Sequence, residues 1–445
     1  MAILGAGVSG LCTAALLADS GYRVIVAERL RSPGGRCSTK WVKGYRLDTG
    51  VQMLYSRGPF ADICRQVGVR LELKTPQTLF NGIRIEGRNH KASGDGFQAM
   101  MELILEREDN PEKIMIAIGR ALSWQGPPDN MTVEDWFRQY TNKGETLSRL
   151  QPFVAGTLGT NADECSAAEL FRTFRMAGSP SDASRPAEPF AGIPVKGALE
   201  PMKDLAQAIA DRGGEVWLNS PVRQITISDG AARGVIVEQP EGMTEVTARA
   251  IVSCIPPRLM VALAGNENFD SGYLKTVQEE TVKRSTSITH IYIGSDRPLL
   301  EQDGLVLTAG TRRLFQLYCP TVTVPEMAPP GKHLTIAAGM PRPCIEPISP
   351  ARELELNLQD IRENLPGFEK HGEILMAPTY HRDWPLYGTW PGRGLPQRTP
   401  MVNLYLVGDR ALPRGQVAVI GCARTAQIVT ADIQKRFKPG GKAPS

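Results

Sequence analysis

The chain has 445 residues, 42% of them apolar and 22% charged, with a formal net charge of +4. That length exceeds one ordinary core and points to two domains, or to one large domain carrying an insertion. The small charge argues against a dedicated nucleic-acid binder, and no run of about 18 apolar residues is present to span a membrane.

In chain order, residues 2–4 read as a short buried strand. The turn Gly5-Ala6-Gly7-Val8-Ser9-Gly10 follows, then residues 11–20 as an Ala- and Leu-rich helix ended by Gly21. Residues 22–27 form a second strand that closes at Glu28. This is a βαβ unit of about 30 residues. Pro33-Gly34-Gly35-Arg36 is a tight turn, and Asp48-Thr49-Gly50-Val51-Gln52 follows a strand-like stretch at 45–47. Residues 80–190 change to helical patterns at 97–106, 133–140 and 169–176, with a Pro-, Ser- and Ala-rich loop expected at 179–189. The α/β pattern returns after 195, with a helix at 198–212 and strands at 215–218, 222–227, 234–238 and 250–254. Pro256-Pro257 then breaks the chain. Residues 266–375 hold strands such as 289–293 and 333–337 and a helix at 350–364. A strand at 402–407 and a helix at 417–436 end the pattern. Three α/β blocks separated by two unlike insertions predict a discontinuous domain, 1–80, 195–265 and 376–445, carrying a second domain from 81–194 and 266–375.

The eight cysteines, among them Cys12, Cys254 and Cys422, form no C-x-x-C pair, so neither a metal site nor a thioredoxin-type motif is expected. Scattered thiols in apolar contexts suit a reducing compartment. The first strand begins with no charged leader, so a cytoplasmic protein is expected, with room for a peripheral contact at the inner face of a membrane. The basic tail Lys435-Arg436-Phe437-Lys438 reads as a solvated terminus. Oligomeric state is not legible in the chain.

The glycine turn carries the first chemistry. Gly5 allows the strand-to-helix turn, Gly7 lets the backbone approach a pyrophosphate, and Gly10 lets helix and strand pack closely. The helix start, with Ser9 in its first turn, presents N–H groups to phosphate. Glu28 can accept from both hydroxyls of an adenosine ribose, and its charge disfavours a 2′-phosphate. NAD and FAD share this fingerprint.

Glu28-Arg29 followed by Gly34-Gly35-Arg36 resembles the flavin amine oxidase and phytoene desaturase superfamily. The resemblance implies an α/β fold: a Rossmann-like, GR2-type FAD-binding domain with an inserted α+β substrate domain. It implies that Arg29, Gly35 and Arg36 lie along the pyrophosphate and ribose, and that Gly50, Val51 and Gln52 lie at the ribityl and isoalloxazine end. The stretch Lys196-Gly197 through Ser220-Pro221-Val222 resembles the superfamily's adenine-side segment, with Val222 at the adenine. Thr399-Pro400 and the run from Asn403 to Asp409 resemble its C-terminal motif. There Gly408 and Asp409 meet the ribityl chain or phosphates, and the N–H groups of Val419 and Ile420 face the flavin pyrimidine. The superfamily's anchoring cysteine has no counterpart here, and Cys422 reads as a buried small residue, so FAD is expected to bind noncovalently.

The stretch from His381 to Pro391 is the densest in aromatic residues. In relatives the corresponding stretch lines the cavity over the flavin. Trp384, Tyr387 and Trp390 then form an aromatic wall and His381 moves a proton, unless the stretch is a packed loop. His381, Tyr387 and Trp390 are the catalytic candidates. Many amine oxidases of the superfamily hold a water near flavin N5 with a lysine, and Lys275 and Lys283 lie in the stretch where one could fall. The remaining histidines, His90, His290, His333 and His371, read as surface or strand residues. Met100, Met101, Leu103, Ile104 and Leu105 read as core, with a lipid entry as the alternative. The leading expectation is a desaturase acting on an apolar, isoprenoid-like small molecule. The alternatives are an amine or amino-acid oxidase using oxygen, and a flavin-dependent isomerase or non-redox flavin-fold protein.

Overall fold

The computed structural model describes residues 1–94, 97–123, 126–178 and 191–440. The loop expected at 179–189 lies outside the described residues. A five-stranded parallel sheet runs in the order Glu215–Trp217, Ile25–Ala27, Ala2–Leu4, Ile251–Ser253, Leu404–Leu406. These strands are short and mostly apolar because parallel strands are covered on both faces. Helices Val8–Asp19, Glu200–Ala210 and Ala418–Arg436 pack together on one side, around Leu11, Leu17, Ile209, Ala426 and Ile433. Ala2–Leu4 is central. The chain leaves it first toward Ile25–Ala27 and later returns on its other side with Ile251–Ser253. The strand order therefore reverses between Ala2–Leu4 and Ile251–Ser253, and the crevice beyond their carboxyl ends is where open α/β sheets take ligands.

The second sheet has the order Gly372–Met376, Ile288–Ser295, His333–Gly339, Leu314–Tyr318, Leu305–Ala309, Phe80–Ile85, Arg88–Lys91, with Thr379–Tyr380 also paired to Ile288–Ser295. Its pairings are antiparallel except that of Leu305–Ala309 with Phe80–Ile85. Met100, Met101, Leu103 and Ile104, on helix Phe97–Ile104, and Leu105 just beyond it pack with Trp136, Phe153 and Leu307 in one buried core. They are covered within the chain.

The sheets meet at strand Tyr45–Gly50. Asp48 Oδ1 accepts from Thr39 Oγ1 at 2.7 Å and from Ala198 N at 3.0 Å. Arg46 donates to the carbonyls of Pro194 and Val195, and Tyr292 Oη donates to the Asp48 carbonyl at 2.9 Å. Period-two geometry puts Arg46 and Asp48 on one face, where they form a buried ion pair at 4.0 Å.

Among the elements that differ from the sequence reading, three have a clear physical reason. The strand expected at 22–27 spans only Ile25–Ala27, because Tyr22 N is used to close the preceding helix on Leu17 O. The helix expected at 198–212 spans Glu200–Ala210, with Pro201 in its first turn where a missing N–H costs nothing. In the basic tail Lys435, Arg436 and Lys438 are exposed, but the segment is tied down at its aromatic residue. Phe437 is buried, Tyr22 Oη donates to its carbonyl, and Arg436 donates to Tyr405 Oη at 2.6 Å.

Candidate active site

The glycines of the crevice fall into two physical classes. A Cβ added at Gly10 would lie 2.0 Å from the Gly5 carbonyl oxygen, and one at Gly50 would lie 2.1 Å from the Arg36 oxygen. Those positions are glycine because the protein's own backbone needs the space. Gly7, Gly35 and Gly408 are different: added Cβ atoms would have their nearest neighbours at 3.4, 3.6 and 3.6 Å. Among the described residues nothing claims the space in front of them, so together they form a cradle that side chains would fill. The three come from distant parts of the sequence. Gly34 N donates to Ala6 O at 2.7 Å, which lays the 34–36 turn beside the phosphate turn. A Cβ on Gly408 would face Ser9 Oγ, which donates to the Cys422 carbonyl at 3.1 Å.

Two helices open on this cradle. Val8–Asp19 starts at Gly7 and Ala418–Arg436 at Val417; neither start has a side-chain cap or an acidic residue in its first turn. Both present backbone N–H groups and the positive end of a helix dipole. Val419 is buried and Ile420 partly so in that first turn. Ala418 holds φ at 51°, a conformation costly for a residue with a Cβ.

A charge cluster lies beside the cradle. Arg36 Nη1 donates to Asp409 Oδ2 at 2.8 Å and to the carbonyls of Pro385 and Leu386 at 3.1 Å. Gly388 N donates to the same Asp409 oxygen at 2.6 Å, and Arg410 lies 3.5 Å from the other. Burial alone would push the Asp409 carboxyl up. The charges of Arg36 and Arg410 outweigh it, with the hydrogen bonds from Arg36 and Gly388, and hold it well below the usual carboxylate range. Arg36 keeps 30% of its side chain exposed, so its guanidinium can serve an anion as well as Asp409.

At the other end, Glu28 is buried and fully engaged with backbone. Its Oε2 accepts from Ala6 N at 2.7 Å and its Oε1 from Leu30 N at 2.8 Å. Each oxygen retains a further lone pair for a ribose hydroxyl. Ser220 N donates to the Glu28 carbonyl at 2.7 Å, which brings the start of strand Val222–Ser228 alongside. Arg29 is exposed.

On the opposite side of the 34–36 turn lie Val51 and Gln52, both partly buried. Gln52 Nε2 is 3.4 Å from His290 Nδ1, on the fully buried strand Ile288–Ser295. The His290 ring meets Tyr292 and Tyr380 edge-on at centroid distances of 6.2 and 5.4 Å. Burial lowers the His290 pKa to about 4, so the imidazole is neutral at neutral pH.

This arrangement fits an extended dinucleotide. The pattern of the family described as flavin containing amine oxidoreductase matches residues 8–433. The chain belongs to that family. It is 24% identical to 15-cis-phytoene desaturase of Synechococcus elongatus, over 98% of this chain and 97% of the relative. It is 27% identical to putrescine oxidase of Kocuria rosea, over 58% of this chain and 56% of the relative. Among solved structures it is similar to an oxidoreductase from Methanosarcina mazei, at 26% identity and a TM-score of 0.82, covering 97% of this chain and 99% of that one. The protein is therefore a flavin-dependent oxidoreductase with the amine oxidase fold.

Within this oxidoreductase the three catalytic candidates have separate surroundings. Tyr387 lies against Gly159, within electrostatic reach of Tyr55, Cys422, Asp409 and Arg36, and burial pushes its hydroxyl up. Trp390 lies under the Arg284 guanidinium at 5.6 Å, with its indole N–H buried and unpartnered among the described residues. His381 is tied to Glu346 Oε1 at 2.7 Å. Trp384 packs with Ile288, Phe315, Met340 and Tyr380 in an apolar cluster. The three aromatic residues of the stretch thus have different nearest neighbours. Lys275 and Lys283 are exposed, and Lys283 pairs with Glu279. A buried basic side chain on the eight-stranded sheet is His290, which the sequence reading left among surface or strand residues. The signal was available: period two in Ile288, His290 and Tyr292 puts the imidazole on one face of an apolar strand.

Proposed function

We propose that this oxidoreductase binds FAD noncovalently and dehydrogenates an apolar, isoprenoid-like small molecule. Glu28 and the start of strand Val222–Ser228 would hold the adenosine half. Gly7, Ser9, Gly35 and Arg36 would hold the pyrophosphate, with Asp409 setting the direction of Arg36. Gly50, Val51, Gln52 and the first turn at Val419 and Ile420 would hold the ring half. The chemistry a bound flavin supplies is acceptance of a hydride. Noncovalent attachment is supported by the thiols: burial pushes Cys254 up to about 11 and Cys422 up to about 12, so neither is a thiolate at neutral pH.

One observation carries the choice of substrate. The carboxylates that touch the apolar cluster of Ile288, Phe315, Cys344 and Tyr380, or residues beside it, are already committed. Glu164 accepts from Cys344 N at 3.1 and 3.0 Å and from Asn161, Glu346 holds His381, and Asp48 serves Thr39 and Ala198 through Oδ1 while its Oδ2, without a hydrogen-bond partner among the described residues, faces the Arg46 guanidinium at 4.0 Å. His290 and the nearby tyrosines are uncharged. A buried ammonium requires an available anion, whereas an apolar chain requires none. The full-length similarity to a phytoene desaturase agrees with this reading, while the putrescine oxidase match spans little more than half of each chain. The chain's contribution to rate is then to orient the substrate and exclude water. Anaerobic mixing with a panel of isoprenoid polyenes and primary amines, followed at the flavin absorbance band, tests it. Bleaching by polyenes alone is expected, and bleaching by amines overturns the reading.

A further inference from the structure

We propose that His290 is a positioning residue for the flavin, acting through Gln52: the imidazole fixes which way the Gln52 carboxamide points, and so which hydrogen-bonding group the 48–52 segment presents to the ring half of the cofactor. The inference rests on the FAD reading above.

The geometry places Gln52 along the cofactor's path. The 34–36 turn lies against Gly7, and Gly50 lies so close to Arg36 that a Cβ there would be 2.1 Å from its carbonyl oxygen. The 48–52 segment therefore continues the cradle beyond Arg36. A glutamine amide has a donor end and an acceptor end of nearly equal size, and a partly buried one rotates unless a partner discriminates between them. His290 Nδ1, 3.4 Å from Gln52 Nε2, is that partner. In the tautomer that carries its proton on Nε2, the neutral ring accepts there from the amide N–H. Burial keeps the ring neutral.

The ring is itself held. His290 N donates to Pro378 O at 3.0 Å, which fixes the backbone. Tyr292 and Tyr380 contact the ring edge-on, and Tyr292 is anchored on the Asp48 carbonyl four residues before Gln52. Desolvating an imidazole on a strand buried along its whole length is unfavourable unless a partner compensates. Here the compensating bond goes to the cofactor segment and not to another strand of the same sheet.

The test uses the flavin-loaded enzyme and reads the flavin rather than turnover. His290→Phe, Gln52→Leu, the double variant and His290→Asn are compared for visible spectrum, midpoint potential and FAD retention. His290→Phe and Gln52→Leu are expected to shift band and potential equally and in the same direction. Each should weaken FAD retention about two- to tenfold, the worth of one hydrogen bond. The double variant should add nothing, and His290→Asn, which keeps an acceptor, should return most of the wild-type spectrum. Additive shifts, or a yellow His290→Phe with wild-type spectrum and potential, overturn the proposal. If His290→Phe fails to fold, a Gln52→Leu enzyme with wild-type flavin properties overturns it equally. A wild-type protein that takes up no flavin removes both this inference and the FAD reading; a yellow wild type with unshifted variants removes only this one.

Discussion

On the FAD reading proposed above, the parallel sheet and the eight-stranded sheet would address the cofactor in different ways. Around the first, backbone does the work: open space before Gly7, Gly35 and Gly408, and two helix starts without side-chain caps. On the second, side chains would do it: His290 and Tyr292 project from strand Ile288–Ser295, buried along its length, and Tyr380 from its neighbour Thr379–Tyr380. A backbone device imposes glycine at fixed spacing, since only the missing Cβ makes the space. A side-chain device can be built from many residue types, so it leaves no fixed spacing.

The largest effect that sharpens this contrast is at Gly7. Its φ of −74° suits any residue, and an added Cβ meets only Cys254 Sγ at 3.4 Å. Gly7→Val is expected to fold and to be colourless, with its methyl groups filling the cradle. Flavin content after reconstitution and a thermal melt check it, and a yellow, folded Gly7→Val would show that the space is not where the cofactor lies. Glu28→Ala is a poorer probe, because it strips acceptors from Ala6 N and Leu30 N as well as from a ribose.

The same contrast explains what the sequence disclosed. Gly5, Gly10 and the acid at Glu28 are legible because a tight βαβ turn demands them at set intervals. That Glu28 also braces two backbone N–H groups is not legible, since it requires knowing how the chain folds back beyond residue 28. Aromatic density at 381–390 drew attention to His381, yet density marks packing as readily as chemistry. Trp384 enters a core, and His381 is committed to Glu346. His290 reads as a surface or strand residue because Thr289, Ile291 and Ile293 mark a buried strand without saying what its imidazole meets.

A smaller effect separates the two regions by pH. With its pKa lowered to about 4, His290 binds a proton less readily when folded than when unfolded, where the value is about 6.5. Its contribution is fully present above pH 6.5 and is lost as pH falls toward 4. The integrated loss is about 3 kcal/mol. The stability of wild type minus that of His290→Gln, measured by urea unfolding from pH 7 to pH 4.5, should fall across that window. A flat difference would mean that the imidazole is solvated and that the eight-stranded sheet does not enclose it.

The smallest effect concerns Lys275 and Lys283. A lysine that held a water beside a flavin would sit desolvated near the ring, and its loss would alter both the rate of reoxidation and the flavin spectrum. Both side chains instead lie on or just beyond helix Ser271–Thr281, exposed, and Lys283 is paired with Glu279 four residues earlier. Exposed pairs of that spacing contribute about 0.3–0.5 kcal/mol. Lys275→Ala and Lys283→Ala are therefore expected to leave flavin reduction, reoxidation and spectrum unchanged, with melting points within about a degree of wild type for a chain of this length. A spectral change in either variant would place a charged side chain at the ring half of the cofactor. It would also reopen the division between a backbone-built cradle and an uncharged side-chain face.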